Sequence, residues 1–148
     1  MRKYFILLFL GIVLTVLFMV FSAVVMESIY YEREFSNEMY NQCLYGMVAV
    51  IDVIIAAAMT GLFYYVINSV SFSRWYHWLL VAVISSVLAS VAAWMYCNRV
   101  FIEDNIDFTT QLIIFSLVNA LIEFVLFTVL SFSCRWWSSN CRHTPIPE

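Results

Sequence analysis

The chain has 148 residues, 64% of them hydrophobic and 11% charged, and a formal net charge of −3. Soluble domains carry about 25% charged residues, so this composition excludes an ordinary water-soluble domain, whose single core could not hide so much apolar surface. The acidic balance argues against nucleic acid as a partner.

Four continuous apolar runs set the expected fold, an all-α integral membrane protein built as an antiparallel bundle of four transmembrane helices. The runs cover 4–26, 44–67, 75–97 and 110–132. At 1.5 Å per residue each is long enough to cross a hydrocarbon core about 30 Å thick. The whole chain, 1–148, reads as a single membrane domain whose last part, 133–148, is a short cytoplasmic tail. A transmembrane β-barrel would need many alternating segments of about ten residues. Both prolines, Pro145 and Pro147, lie beyond the last run, so no run is expected to break.

The first run follows Arg2 and Lys3, as a signal peptide would. Its apolar stretch is too long for an h-region and no convincing small-residue cleavage site precedes Glu27, so it is expected to remain as a span. Beyond it, Tyr31, Phe35 and Met39 recur every four residues, which predicts that the first helix continues past the membrane surface with one apolar stripe. Such an extension would cap the bundle, lie along the interface or meet a partner.

In the second run Ala49, Val53, Ala57 and Gly61 form a stripe of small residues; in the third, Ala82, Ser86 and Ser90 do so, with Ser85, Ala89 and Ala93 beside them. Small residues four apart let helix backbones approach, and serines add interhelical hydrogen bonds. With a short turn at 68–74 between the two runs, they predict a close hairpin. The same faces could instead receive another subunit. The fourth run, rich in Phe, Leu and Ile, is expected to face lipid except on one polar stripe.

That stripe carries the chemistry. Ser116, Asn119 and Glu123 share one face, with Glu123 about 20 Å from the outer end of its span and Asp52 about 12 Å into the second span. An acid at the centre of a membrane helix costs about 2.5–3.5 kcal/mol on insertion scales, so neither should face lipid. No Lys, Arg or His lies deep in any run, and one or both acids are expected to be uncharged near neutrality. They would serve as hydrogen-bonding locks, as a proton-exchange site, or as partners for a polar residue on another protein's helix.

The bases give the orientation. Arg2, Lys3, Arg74, Arg135 and Arg142 fall on one side of an even-span bundle, and only Arg33 and Arg99 on the other. This bias puts both termini in the cytoplasm. Aromatic residues mark the edges: Trp75, Tyr76 and Trp78 at one, Trp94 and Tyr96 at the other, and Trp136 with Trp137 after the last span. Cys43 and Cys97 would lie at matching depth near the outer surface, an arrangement that invites a disulfide if their helices turn them together. Cys134, Cys141 and His143 match no zinc spacing.

No catalytic constellation, cofactor motif or metal site is present. Four-span thiol oxidoreductases need a reactive cysteine pair, usually Cys-x-x-Cys, which this chain lacks. Small multidrug transporters carry their essential glutamate in the first helix, where this chain has none. The sequence points to a small non-enzymatic membrane protein that acts as a subunit or partner-binding component through intramembrane helix packing. The alternative is a small proton-coupled transporter or channel that uses Glu123 and Asp52. Expected partners are the lipid bilayer and either a second membrane protein or a second copy. The absence of any Asn-x-Ser/Thr sequon fits a bacterial inner membrane.

Overall fold

A computed structural model describes residues 2–67, 71 and 74–138, without the side chains of Arg2 and Lys3. Cys141, Arg142 and His143 lie outside the described residues, as does most of the turn at 68–74. The described chain is 90% helical, with no strand among those residues. Its elements are α1 (Arg2–Val20), α2 (Ser22–Ile29), α3 (Arg33–Asn41), α4 (Leu44–Gly61), a π-helical segment (Leu62–Ile67), α5 (Trp75–Glu103), α6 (Thr109–Cys134) and a terminal 3-10 turn (Arg135–Trp137). Three helical stretches are long and apolar enough to cross a membrane: α4 with its π segment, α5, and α6 with its terminal turn. Together α1 and α2 would make a fourth.

The first run is broken, contrary to the sequence expectation. Phe21 leaves the helical dihedral region (φ −103°, ψ 21°) and α2 turns away from α1 by 75°. Neither Pro nor Gly causes the bend, and backbone bonds persist across it, from Phe21 N–H to Leu17 O and from Val25 N–H to Phe21 O. Its cause is tertiary. Straight continuation would carry Met26 past the bundle, whereas the bend buries Ser22 and Met26 as α2 crosses α4, while α1 stays on α6.

The apolar stripe that follows is not a prolongation of the first helix. Tyr30 and Glu32 are extended, and α3 starts afresh with Glu32 as its cap. The Glu32 carboxylate accepts the Phe35 N–H at 2.8 Å, and the Ser36 hydroxyl accepts the Glu32 N–H at 3.3 Å, a reciprocal arrangement that satisfies the first-turn donors. From this anchor α3 drives Phe35 and Met39 fully inside and leaves Tyr31 exposed. The Phe35 ring lies 5.7–6.0 Å from those of Tyr30, Phe101, Phe108 and Phe115. The segment therefore caps the bundle. At the same end α5 stops in a Schellman motif: Asn105 takes φ 57°, and the N–H groups of Ile106 and Asn105 bond the carbonyls of Phe101 and Ile102.

The most extensive helix contact joins α5 to α6, not α4 to α5. Helix α6 also touches α1 and α4, so it is the centre of the bundle rather than a lipid-facing span. Its inner face carries Leu112, Phe115, Asn119, Ile122, Glu123, Leu126, Phe127 and Ser131, a seam repeating every three to four residues. The outward surface is an aliphatic belt that includes Ile54, Val83, Val87, Val91, Leu117, Leu121 and Val125, which suits hydrocarbon and not water.

Helix α1 meets α6 at one point of very close approach. A Cβ placed on Gly11 would lie 2.6 Å from Ser133 Cβ, so only glycine fits unless Ser133 yields. Further along, Tyr4 stacks on Trp136 at 4.7 Å and Phe5 meets Trp137, which brings the start of α1 to the end of α6. Gly11→Leu should lift α1 from α6 at a cost of about 1–3 kcal/mol, read as loss of crosslinking between cysteines introduced at Tyr4 and Trp136. Gly46→Leu, where a Cβ meets open space, should leave that crosslink intact.

Candidate functional site

Four helical segments turn polar side chains inward along one line. On α4 and its π continuation, Asp52, Ala56, Thr60 and Tyr64 are all buried and four residues apart. On α6 the matching line is Asn119, Glu123, Phe127 and Ser131. These two helices run parallel in constant register: Asp52 pairs with Asn119 and Tyr64 with Ser131, each 67 residues apart. Helix α5 runs antiparallel to them and supplies Ser85 to Glu123 and Trp78 to Ser131.

The line makes three connections. Asn119 Nδ2 donates to Asp52 Oδ1 at 2.9 Å, tying α6 to α4. Ser85 Oγ donates to Glu123 Oε1 at 2.5 Å, tying α5 to α6. Towards the far end, Ser131 Oγ accepts the Trp78 indole N–H at 2.7 Å and shares a 2.6 Å bond with the Tyr64 hydroxyl, joining three segments at one atom. The last junction depends on the π segment, whose wider turn buries the consecutive residues Phe63 and Tyr64 together. Glu123 and Ser85 sit where the larger apolar cluster, from Phe35 to Leu126, gives way to a smaller one of Phe63, Tyr64, Val81, Ala82 and Phe127.

Asp52, Asn119 and Glu123 are each 0% exposed. Yet Asp52 Oδ2, Asn119 Oδ1, Glu123 Oε2 and Thr60 Oγ1 have no hydrogen-bond partner. No basic residue falls within 44–67, 78–98 or 108–134, so the carboxyls have no cation from these segments. No group of three or more His, Cys, Asp or Glu able to hold a metal occurs among the described residues.

The structure thus brings Asp52, Asn119 and Glu123 together but leaves Ser116 out: it is half-buried and donates to Leu112 O on its own helix. The two small-residue stripes differ in burial. Ala82 is fully buried, Ser86 nearly so and Ser90 partly, and the two serines bond their own helix at Ala82 O and Ser86 O. On α4 the inward face is Ala49, Asp52 and Ala56, while Ala57 is exposed and Gly61 half-exposed with open space beside it. Burying Asp52 fixes this rotation, because Ala57 and Gly61 lie about 140° and 180° round the helix from it. Cys43 and Cys97 are both free thiols, the first exposed in a left-handed conformation (φ 54°) between α3 and α4, the second buried. Trp78, expected as an edge anchor, instead aims its N–H inward at Ser131. The Ser131 junction escaped sequence reasoning, although Tyr64 and Ser131 extend the Asp52 and Glu123 lines at multiples of four residues.

Comparison with family models, with curated proteins and with solved structures gave no match.

Removing the Ser131 hydroxyl would strip Trp78 N–H and Tyr64 O–H of a shared partner. Ser131→Ala should lower bundle stability by about 1–3 kcal/mol in a denaturation assay in detergent. Thr128→Ala, which removes only a bond to Phe124 O on the same helix, should change it by less than about 0.5 kcal/mol.

Proposed function

We propose that this chain is a non-enzymatic membrane subunit that binds a membrane-protein partner, or a second copy of itself, by helix packing within the bilayer. The observation that carries the reading is the outward patch of Ala57, Ala58 and Gly61 on α4: small, exposed, and open enough that a Cβ on Gly61 would touch nothing within 4 Å. Outward small residues let a foreign helix bring its backbone close. The buried acids already bond Asn119 and Ser85 inside the chain, so recognition would rest on shape rather than on charge pairing. In this reading the bundle spans a bacterial inner membrane with both termini cytoplasmic. The location of Arg2, Lys3, Arg74, Arg135 and Arg142 in the sequence supports that orientation, and the contact between the start of α1 and the end of α6 fits both ends lying on one side.

Ala57→Leu combined with Gly61→Leu should abolish association in native membranes, measured by the mass of the complex extracted in mild detergent, without lowering bundle stability. Unchanged association in that variant would remove the α4 face from the account.

A second reading, proton-coupled transport through Asp52 and Glu123, draws on the fully buried carboxyls. In proteoliposomes it requires proton-linked flux that Glu123→Gln abolishes while the bundle stays folded. Wild-type vesicles no leakier than empty ones would end it.

A further inference from the structure

The polar atoms left without partners around Asp52 share one property. Asp52 Oδ2, Asn119 Oδ1 and Glu123 Oε2 are all acceptor positions, and each belongs to a side chain with no exposed surface. Each carboxyl already uses its other oxygen, towards Asn119 Nδ2 and Ser85 Oγ. The group that is missing is a donor hydrogen, and a carboxyl provides one only when protonated.

The charged surroundings offer no cation in its place, and the unpartnered Thr60 hydroxyl stands about two turns from Asp52 along α4. From α6, Asn119 and Glu123 face Asp52; from α5, the buried Cys97 thiol lies within its electrostatic reach. Glu123 in turn is faced by Ser85 from α5 and by Asp52 from α4. Towards the α3 end the next titratable groups are Tyr45 on α4, two turns away, and Glu27 on α2 beside it. No Lys, Arg or His occurs in 4–32, so α1 beyond its first two residues, and all of α2, carry no cation. Asn119, which bonds Asp52, and Glu123 stand one turn apart on α6, about 6 Å of rise, and the two carboxyls lie within electrostatic reach of each other. Ionising both would bury two like charges against one amide and one hydroxyl.

We propose that Asp52, Asn119 and Glu123 form one proton-binding site in which a proton on Asp52 closes a two-bond ring with the Asn119 amide and holds α4 against α6. In the ring Asn119 Nδ2–H donates to Asp52 Oδ1, and Asp52 Oδ2–H donates to Asn119 Oδ1, so both orphaned oxygens of that pair are satisfied by a single proton. Glu123, whose Oε1 is held by Ser85, is the second carboxyl of the site. The site takes its proton whether or not the chain has a partner.

The test is infrared spectroscopy of the full chain, alone in lipid nanodiscs, in the carbonyl-stretch region of protonated carboxylic acids. An ionised carboxylate is silent there. Wild type should show a protonated-carboxyl band that disappears as pH is raised. The band should be lost or diminished in Asp52→Asn, which keeps the shape and one hydrogen bond. It should shift to higher frequency in Asn119→Val, where the acid loses its amide partner. A wild-type spectrum without the band at neutral pH overturns the proposal with no variant needed. A band that Asp52→Asn leaves untouched, or that Asn119→Val leaves unshifted, overturns the ring. Because the isolated chain is measured, failure here is distinct from failure of the subunit reading, which rests on association.

Discussion

Burial of polar groups without a cation is the constraint on which the arrangement depends. In an apolar medium a polar side chain must find its partner within the protein or cost several kcal/mol. Asn119, Glu123 and Ser131 on α6 meet that requirement only if α4 presents Asp52 and Tyr64, and α5 presents Ser85 and Trp78, at matching depths. The equal spacing of the Asp52–Asn119 and Tyr64–Ser131 pairs shows two parallel helices locked in register along about 18 Å of rise. Apolar packing alone would tolerate rotation of these helices; the hydrogen bonds do not. They set which face of α4 points in, and so which small residues are left outside.

The rest of the molecule is arranged around this three-helix unit. Helix α3 closes one end by inserting Phe35 and Met39, and the glutamate-capped turn before it holds the insertion in place. At the opposite end the aromatic pairs Tyr4–Trp136 and Phe5–Trp137 fasten α1 to α6. Between these points α1 is exposed on most of its surface, held chiefly by the Gly11–Ser133 approach. The bend at Phe21 opens an apolar groove between the first run and α6, lined by Leu14, Phe18, Val25, Leu121, Val125 and Val129. A helix with so few buried residues sits at the low end of local stability.

Much of this was legible in the sequence. Run length and continuity predict apolar helices close to those observed, and the burial of Asp52 and Glu123 follows from the cost of exposing an acid to lipid; the pairing of Asp52 with Asn119 emerges only in the structure. The break at Phe21 was not legible, because no local residue signals it; its cause is the burial of Ser22 and Met26 by a helix distant in sequence. The rotation of α4 was misjudged for a related reason. Small-residue periodicity favoured the Ala57–Gly61 face, but the larger cost of burying Asp52 correctly takes precedence, and weighing the two would have chosen the Ala56–Thr60 face. The Ser131 junction needs a π turn, which hydrophobic periodicity does not reveal.

In the proposed subunit the polar interior is held within one chain, and the Ala57–Gly61 face is where a neighbour would approach. The most direct measurement of that claim is the mass of the complex that the wild-type chain forms when extracted from its native membrane in mild detergent, without crosslinker. A stoichiometric membrane-protein partner or a defined homo-oligomer is the predicted result. Recovery as a solitary monomer would contradict the subunit account.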